Sequence, residues 1–301
     1  MKRYKRLIVP LGLRDLDSGA ISWASRISGL ADSEHVLFIH ASDTPDFPEK
    51  TKEKYPWLAA PLDETIREKM ESMVNEIWQG NPKTKISFEV ATAKSDSIAI
   101  LEAVIRDDSD LIIVGRGAFG GGMAVKLARK SPCSVMSVHT DHAKKLERIL
   151  VPTDFSELSR SALDVATAFA EYEGLTRIDS VHVYNVGSVH RMVTLPEEEQ
   201  IRLAQEFAEE LHRDFLKDAD LRGVEVEPHL VLDRSVPIAA SRLARELDVD
   251  LIVTSCRGKN AISSWLLGSN AESLLESAPV PVIAAKVKGT GQNLLKSLLH
   301  G

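Results

Sequence analysis

The sequence predicts an α/β protein built as two tandem doubly wound domains, each a five-stranded parallel sheet with helices on both faces. Three observations predict this. Short apolar runs alternate with helical patterns along most of the chain. The same order of elements occurs twice. The length, 301 residues, gives room for about two domains of ~150 residues. The strand runs are short and wholly apolar, which suits sheets covered on both faces. Right-handed crossovers then leave few topologies.

In the first half, Arg6–Pro10 reads as a strand, followed by a helix over Ser18–Ala31 and a second strand, Val36–Ala41. A loop rich in proline (Pro45, Pro48, Pro56, Pro61) leads to a long amphipathic helix, Leu62–Gln79. Then come strand Ile86–Ala91, helix Ile98–Asp107, strand Leu111–Val114, short helix Met123–Lys130 and strand Val135–Val138. The second half repeats the order with strands Ile149–Val151, Ser180–Tyr184, Val224–Val231, Leu251–Thr254 and Val280–Ala284. Its helices are Ser159–Tyr172, Pro196–Lys217, Pro237–Leu247 and Ser269–Ser277. Beyond these, Leu294, Leu295, Leu298 and Leu299 fall at helical spacing.

The repeat is visible residue by residue. Arg6-Leu7-Ile8-Val9-Pro10 returns as Arg148-Ile149-Leu150-Val151-Pro152, an offset of 142. Asp110-Leu111-Ile112-Ile113-Val114 returns as Asp250-Leu251-Ile252-Val253-Thr254, an offset of 140, and Ser131-Pro132-Cys133 aligns with Ala278-Pro279-Val280, an offset of 147. The copies therefore differ by seven residues between the fourth strand and the last helix. The domains are expected at 1–142 and 143–301.

Composition narrows the function. A net charge of −7 argues against general nucleic-acid affinity, which needs a basic face. No apolar run reaches the ~18–20 residues of a membrane helix, so no membrane role is expected. The basic N-terminus carries an apolar run too short for a signal peptide. Two cysteines, Cys133 and Cys256, do not make a disulfide framework, and the chain reads as cytoplasmic. No Cys/His spacing suits zinc. Neither a P-loop nor a GxSxG elbow occurs.

In a flavodoxin-like sheet, or its relative with strand order 3-2-1-4-5, ligands bind at the carboxyl ends of strands one and four. In the second half the first of these loops is Pro152-Thr153-Asp154-Phe155-Ser156. Asp154 has two open roles: a partner for ribose hydroxyls or hydrated Mg²⁺, or a turn and N-cap residue. The other loop follows Leu251–Thr254 and carries Ser255, Arg257 and Gly258. Gly268, Ser269 and Asn270 then open a helix. Small residues between a strand and a helix N-terminus suit phosphate, because amides lie open there and the helix dipole favours negative charge. Arg257 could pair with phosphate or simply face water.

The first half departs from this pattern. Gly12 stands where the second half has Asp154, and the later loop shortens to Gly115–Gly122. By the letter, Gly115, Gly117, Gly120 and Asp141 match a dinucleotide fingerprint. In the duplicated frame they follow the fourth strand, whereas that fingerprint follows the first. They read better as a degenerate loop closing the gap left by the shortening.

The stretches ILVPTDFSELSRSAL and VHVYNV, then a strand, a small-residue loop, Gly-Ser and APVPV, resemble the universal stress protein family across nearly the whole chain, as a tandem pair. The resemblance implies Rossmann-like domains and an ATP motif of Gly, two residues, Gly, nine residues, Gly, then Ser or Thr. That motif falls on Ser255, Gly258, Gly268 and Ser269, with Ser255 replacing the first glycine. It also implies roles for Asp154 at strand one and for the Val183 backbone in contacting adenine. The implied ligand is ATP, ADP or AMP, with or without Mg²⁺, in a regulatory stress-survival role with slow or absent catalysis. Family pairing through last strands makes Val135–Val138 and Val280–Ala284 the expected contact, as if two single domains had dimerised. The edges of those strands and the Leu-rich tail are compatible with a homodimer; protein partners are not indicated. Two alternatives stay open: a slow ATPase or nucleotidyl-transfer enzyme, for which Asp154 is the one nameable group, and a module that has exchanged nucleotide for another ligand or partner.

Overall fold

A computed structural model describes residues 3–42, 49–55, 62–92, 95–117, 121–141, 143–185, 195–256 and 267–288. The first half contains β1 (Arg6–Pro10), α1 (Asp17–Ala31), β2 (His35–Ser42), α2 (Glu49–Lys54), α3 (Leu62–Ile77), β3 (Lys85–Thr92), α4 (Asp96–Arg106), β4 (Leu111–Gly115), α5 (Gly122–Lys130) and β5 (Ser134–Val138). The second contains β6 (Ile149–Pro152), α6 (Glu157–Glu173), β7 (Arg177–Tyr184), α7 (Glu197–Lys217), β8 (Glu225–Leu232), α8 (Val236–Glu246), β9 (Leu251–Ser255), α9 (Ser269–Ser277) and β10 (Val282–Ala285). The chain forms two compact units. One comprises 1–119, 138–143 and 292–301; the other comprises 120–137 and 144–291.

In the first unit the strands run β3-β2-β1-β4, all parallel. Leu7, Ile8 and Val9 are fully buried, as are Leu111, Ile112 and Ile113, which is why these runs carry no polar residue. In the second unit β8-β7-β6-β9-β10 reproduces the order 3-2-1-4-5 with parallel pairing. There α6 packs on β6 and β9, α7 on β7 and β8, α8 on β6 and β7, and α9 on β10. The fifth strand of the first copy, β5, also lies in this unit and pairs antiparallel with β10, Met136 opposite Ile283. The last strands of the two copies thus meet. Lys286 donates from Nζ to the carbonyls of Ala128 (3.3 Å) and Ser131 (2.7 Å) at the end of α5, where the helix dipole favours a cation.

The duplication extends to backbone conformation. Leu13 and Phe155 both have positive φ, at 58° and 60°; so do Asp32 and Gly174, at 49° and 76°, and Asp108 and Asp248, at 51° and 53°. Each pair keeps the offset read from the sequence. Asp32 and Gly174 terminate α1 and α6 in the left-handed conformation that ends many helices. The same aspartate holds each first strand: Asp110 accepts from the amides of Lys5 and Arg6, and Asp250 from those of Glu147 and Arg148.

Most boundaries shift by one or two residues from the sequence reading, and β7 begins three residues earlier, at Arg177 rather than Ser180. The proline-rich loop contains a helix, α2, whose six residues EKTKEK offer no apolar stripe to detect. The last strand begins at Val282 rather than Val280, because Pro281 lacks the amide a ladder needs. The Leu-rich tail lies outside the described residues.

Candidate functional site

β6 and β9 are neighbours, with Leu150 level with Ile252. By that register Thr153 lies level with Ser255, so the two strands deliver both predicted loops to one end of the sheet. The amide of Thr153 continues the β6–β7 ladder by donating to Val181 (2.9 Å). The loop then turns sharply. Thr153 Oγ1 accepts from the Phe155 amide (3.1 Å), and Asp154 Oδ1 accepts from the Ser156 amide (3.1 Å) and the Ser159 hydroxyl (2.6 Å). Ser156 caps α6 by accepting from the Ser159 amide. Asp154, half-buried, is therefore at least a turn residue.

On β9, Ser255 is the last strand residue and lies level with Ala285 of β10. Cys256 donates its amide to Ala285 (3.1 Å), and the Gly268 amide donates to the Cys256 carbonyl (2.8 Å). That second bond ties the far end of the loop back to its start, so α9 begins beside the carboxyl end of β9. Gly268 is the N-cap of α9, at φ −67° and ψ 142°, and contributes no side-chain cap. Its φ is open to any residue. Ser269 and Asn270 are exposed in the first turn, where helix amides favour an anion. Val183 sits near the end of β7, level with Val231. Pro152, Thr153, Asp154, Val183, Ser255, Gly268, Ser269 and Asn270 all lie on loops, strand ends or the first turn of α9 in the second unit; Arg257 and Gly258 lie outside the described residues.

In the first copy Leu16 packs against the matching loop. A side chain at Gly115 would put its Cβ 2.4 Å from the Leu16 carbonyl oxygen, and one at Gly117 would lie 3.2 and 3.3 Å from the two Leu16 methyls. Gly115 and Gly117 are small because Leu16 presses on them. Position 115 corresponds to 255 in the repeat. A Cβ at Ser255 is incompatible with an approach of the Leu16 kind, so the second copy cannot close in that way. Asp17, at the position of Ser159, organises the first-copy loop instead, accepting from the amides of Gly12 and Arg14 (both 3.1 Å). Burial raises the Asp17 carboxyl above its ordinary value, against those hydrogen bonds, which lower it. Arg116 is buried beside His139, with burial pushing its guanidinium down.

Sequence reading missed two features. The first is Leu16. The second is a pair of histidines: His182 Nδ1 lies 2.9 Å from the Thr153 carbonyl, and His40 Nδ1 lies 2.8 Å from the Leu11 carbonyl. Their spacing of 142 was the available signal. Each ring must present Nδ1–H to that carbonyl, clasping strand two to the loop after strand one.

Residues 145–286 match the model of the Universal stress protein family. A universal stress protein of Mycobacterium tuberculosis is 27% identical over 200 residues, 60% of this chain and 63% of that protein. The chain thus matches less than two thirds of that relative's length. A universal stress protein structure from Archaeoglobus fulgidus superposes with a TM-score of 0.58 at 17% identity, covering 94% of this chain and 98% of that one. A functionally unknown protein from Pseudomonas aeruginosa superposes at 0.59 and 16% identity, covering 99% and 97%. At such identities these likenesses establish the fold alone. Residues 145–286, just under half of the chain, thus form a segment similar to the universal stress protein family.

Proposed function

We propose that the second copy, 143–301, binds an adenine nucleotide at the carboxyl ends of β6 and β9, and that the first copy, 1–142, is a degenerate partner of the same family without a nucleotide site. The ligand is ATP, ADP or AMP, with or without Mg²⁺. One observation carries the reading: Leu16 packs against Gly115 and Gly117 in the first copy, an approach for which a side chain at Ser255 would leave no room in the second. Phosphates would lie at the first turn of α9, where Gly268 is the N-cap and Ser269 offers a hydroxyl. Thr153 and Asp154 would face the ribose, and the backbone at Val183 the base.

The reading favours regulation through occupancy, in stress survival, over rapid turnover. Asp154 Oδ1 is engaged by Ser156 and Ser159, which suits a fixed anchor more than a proton carrier. Equilibrium binding of ATP to wild type and Gly268→Trp tests the proposal. Because position 268 has an ordinary φ, the variant should fold. Its indole should weaken ATP by more than about tenfold, or ~1.4 kcal/mol. Unchanged affinity in a folded variant would remove this site.

A further inference from the structure

Phe155, one residue beyond Asp154, is held by two histidines. Its ring stacks on His182, with centroids 4.2 Å apart and planes at 27°. His212 of α7 lies edge-on at 5.9 Å, and Phe215 lies at 5.8 Å. Phe155 has a φ of 60°, which a bulky residue rarely adopts unaided. Ring packing therefore does much to fix this corner of the loop. The same His182 clasps the Thr153 carbonyl, so the stack supports the residues on both sides of Asp154.

His212 is 6% exposed, and its Nε2 meets the Ser180 hydroxyl at 3.1 Å. It also lines a cavity of about 370 Å³ between α7 and β8, with Glu209, Arg213, Pro228 and Leu230. The titratable groups around it are His182 on β7, Arg160 of α6, whose guanidinium lies over Phe215 at 5.2 Å, and Glu209 and Arg213 on its own helix. β8 presents Pro228 and Leu230, level with Ser180 and His182; its His229 pairs with Asp179 on the opposite face. Burial, then the nearby His182, lowers the His212 pKa. The ring is therefore neutral at pH 7 and resists protonation while it stays in place.

We propose that His212 makes the nucleotide loop pH-sensitive: once protonated, it leaves the Phe155–His182 stack for the cavity between α7 and β8, the loop loosens, and nucleotide affinity falls. This rests on the nucleotide-binding reading above and adds its regulation. The first copy carries the clasp without the sensor. His40 holds Leu11, but Leu13 replaces Phe155, and the buried residues of α3 include the apolar Met70 and Val74.

The test compares wild type with His212→Gln between pH 8 and pH 5.5, by ATP affinity and by the backbone amide shifts of Asp154, Phe155 and Ser156. ATP titrates in this window, so the readout is the ratio between the two proteins. Wild type should lose at least about fivefold more affinity on acidification than the variant, the lower end of ordinary coupling. Its loop amides should follow a titration that the variant lacks. Equal losses together with identical amide curves would overturn the proposal. If neither protein binds ATP at pH 8, the nucleotide reading fails and the amide curves alone decide the coupling. Should His212→Gln not fold, Phe155→Leu, which gives the loop its first-copy residue, is read in the same way.

Discussion

Gly115→Ser installs in the first copy the residue that the second copy carries at the matching position. The new Cβ would lie 2.4 Å from the Leu16 carbonyl oxygen. Close C···O contacts stop near ~3.3 Å, so the overlap is about 0.9 Å. The oxygen belongs to the N-cap of α1, so relief requires moving the helix start and not just a rotamer. Overpacking of this kind costs roughly 1–3 kcal/mol. For a unit of this size each kcal/mol lowers Tm by about 3–5 °C, so a fall of roughly 3–15 °C is expected. Fluorescence of Trp23, 4% exposed within α1, follows the melting of this unit. The reverse change, Ser255→Gly, meets only the strand penalty of glycine, at most about 1 kcal/mol. A Gly115→Ser protein that melts within about 1 °C of wild type would refute the claim that Leu16 packs closely against Gly115.

Two further predictions concern stability. Within α1, Gly19→Ala and Gly29→Ala should have opposite signs: a Cβ at Gly19 lies 1.7 Å from the His139 carbonyl oxygen, while one at Gly29 meets nothing within 4 Å. Urea midpoints should show Gly29→Ala stabilised by about 0.5–1 kcal/mol from helix propensity and Gly19→Ala destabilised. In the second unit, Asp179 is bound by Arg148 and His229, both at 2.7 Å. Burial alone would raise its carboxyl; the hydrogen bonds from Arg148 and His229 outweigh this and hold it low. Its contribution is complete above the unfolded value near ~3.9 and is lost as pH falls through the lower folded value. Asp179→Asn should cost about 2–3 kcal/mol at pH 7. It should also flatten the acid limb of a stability–pH curve below about pH 4.

Much of the fold is legible in the sequence because the two copies annotate each other. The run Arg6–Pro10 gains weight from Arg148–Pro152, and the offset of 142 also predicts where positive φ recurs, at Leu13 and Phe155. What escaped reading depends on contacts absent from local pattern. EKTKEK has helix-forming residues but no stripe. Leu16 is an ordinary leucine until its carbonyl is seen against Gly115. The glycines at 115 and 117 imitate a phosphate-binding fingerprint because close packing against a leucine and close approach to a pyrophosphate ask the same thing of a residue. Conversely, Ser255 stands where the resemblance implies a glycine, and it ends β9 level with Ala285. The positions of Thr153, Asp154 and Ser255 on neighbouring strand ends followed from topology. The His212 part of the support beneath Phe155 depends on α7 packing over β7, which no spacing along the chain encodes.

The proposed nucleotide site, one per chain and in the second copy, can be counted. Calorimetric titration with ATP tests it most directly. A stoichiometry of one per chain in wild type, lost in Gly268→Trp and kept in Gly29→Ala, is the predicted result. Two nucleotides per chain, or one that persists undiminished in Gly268→Trp, would contradict it.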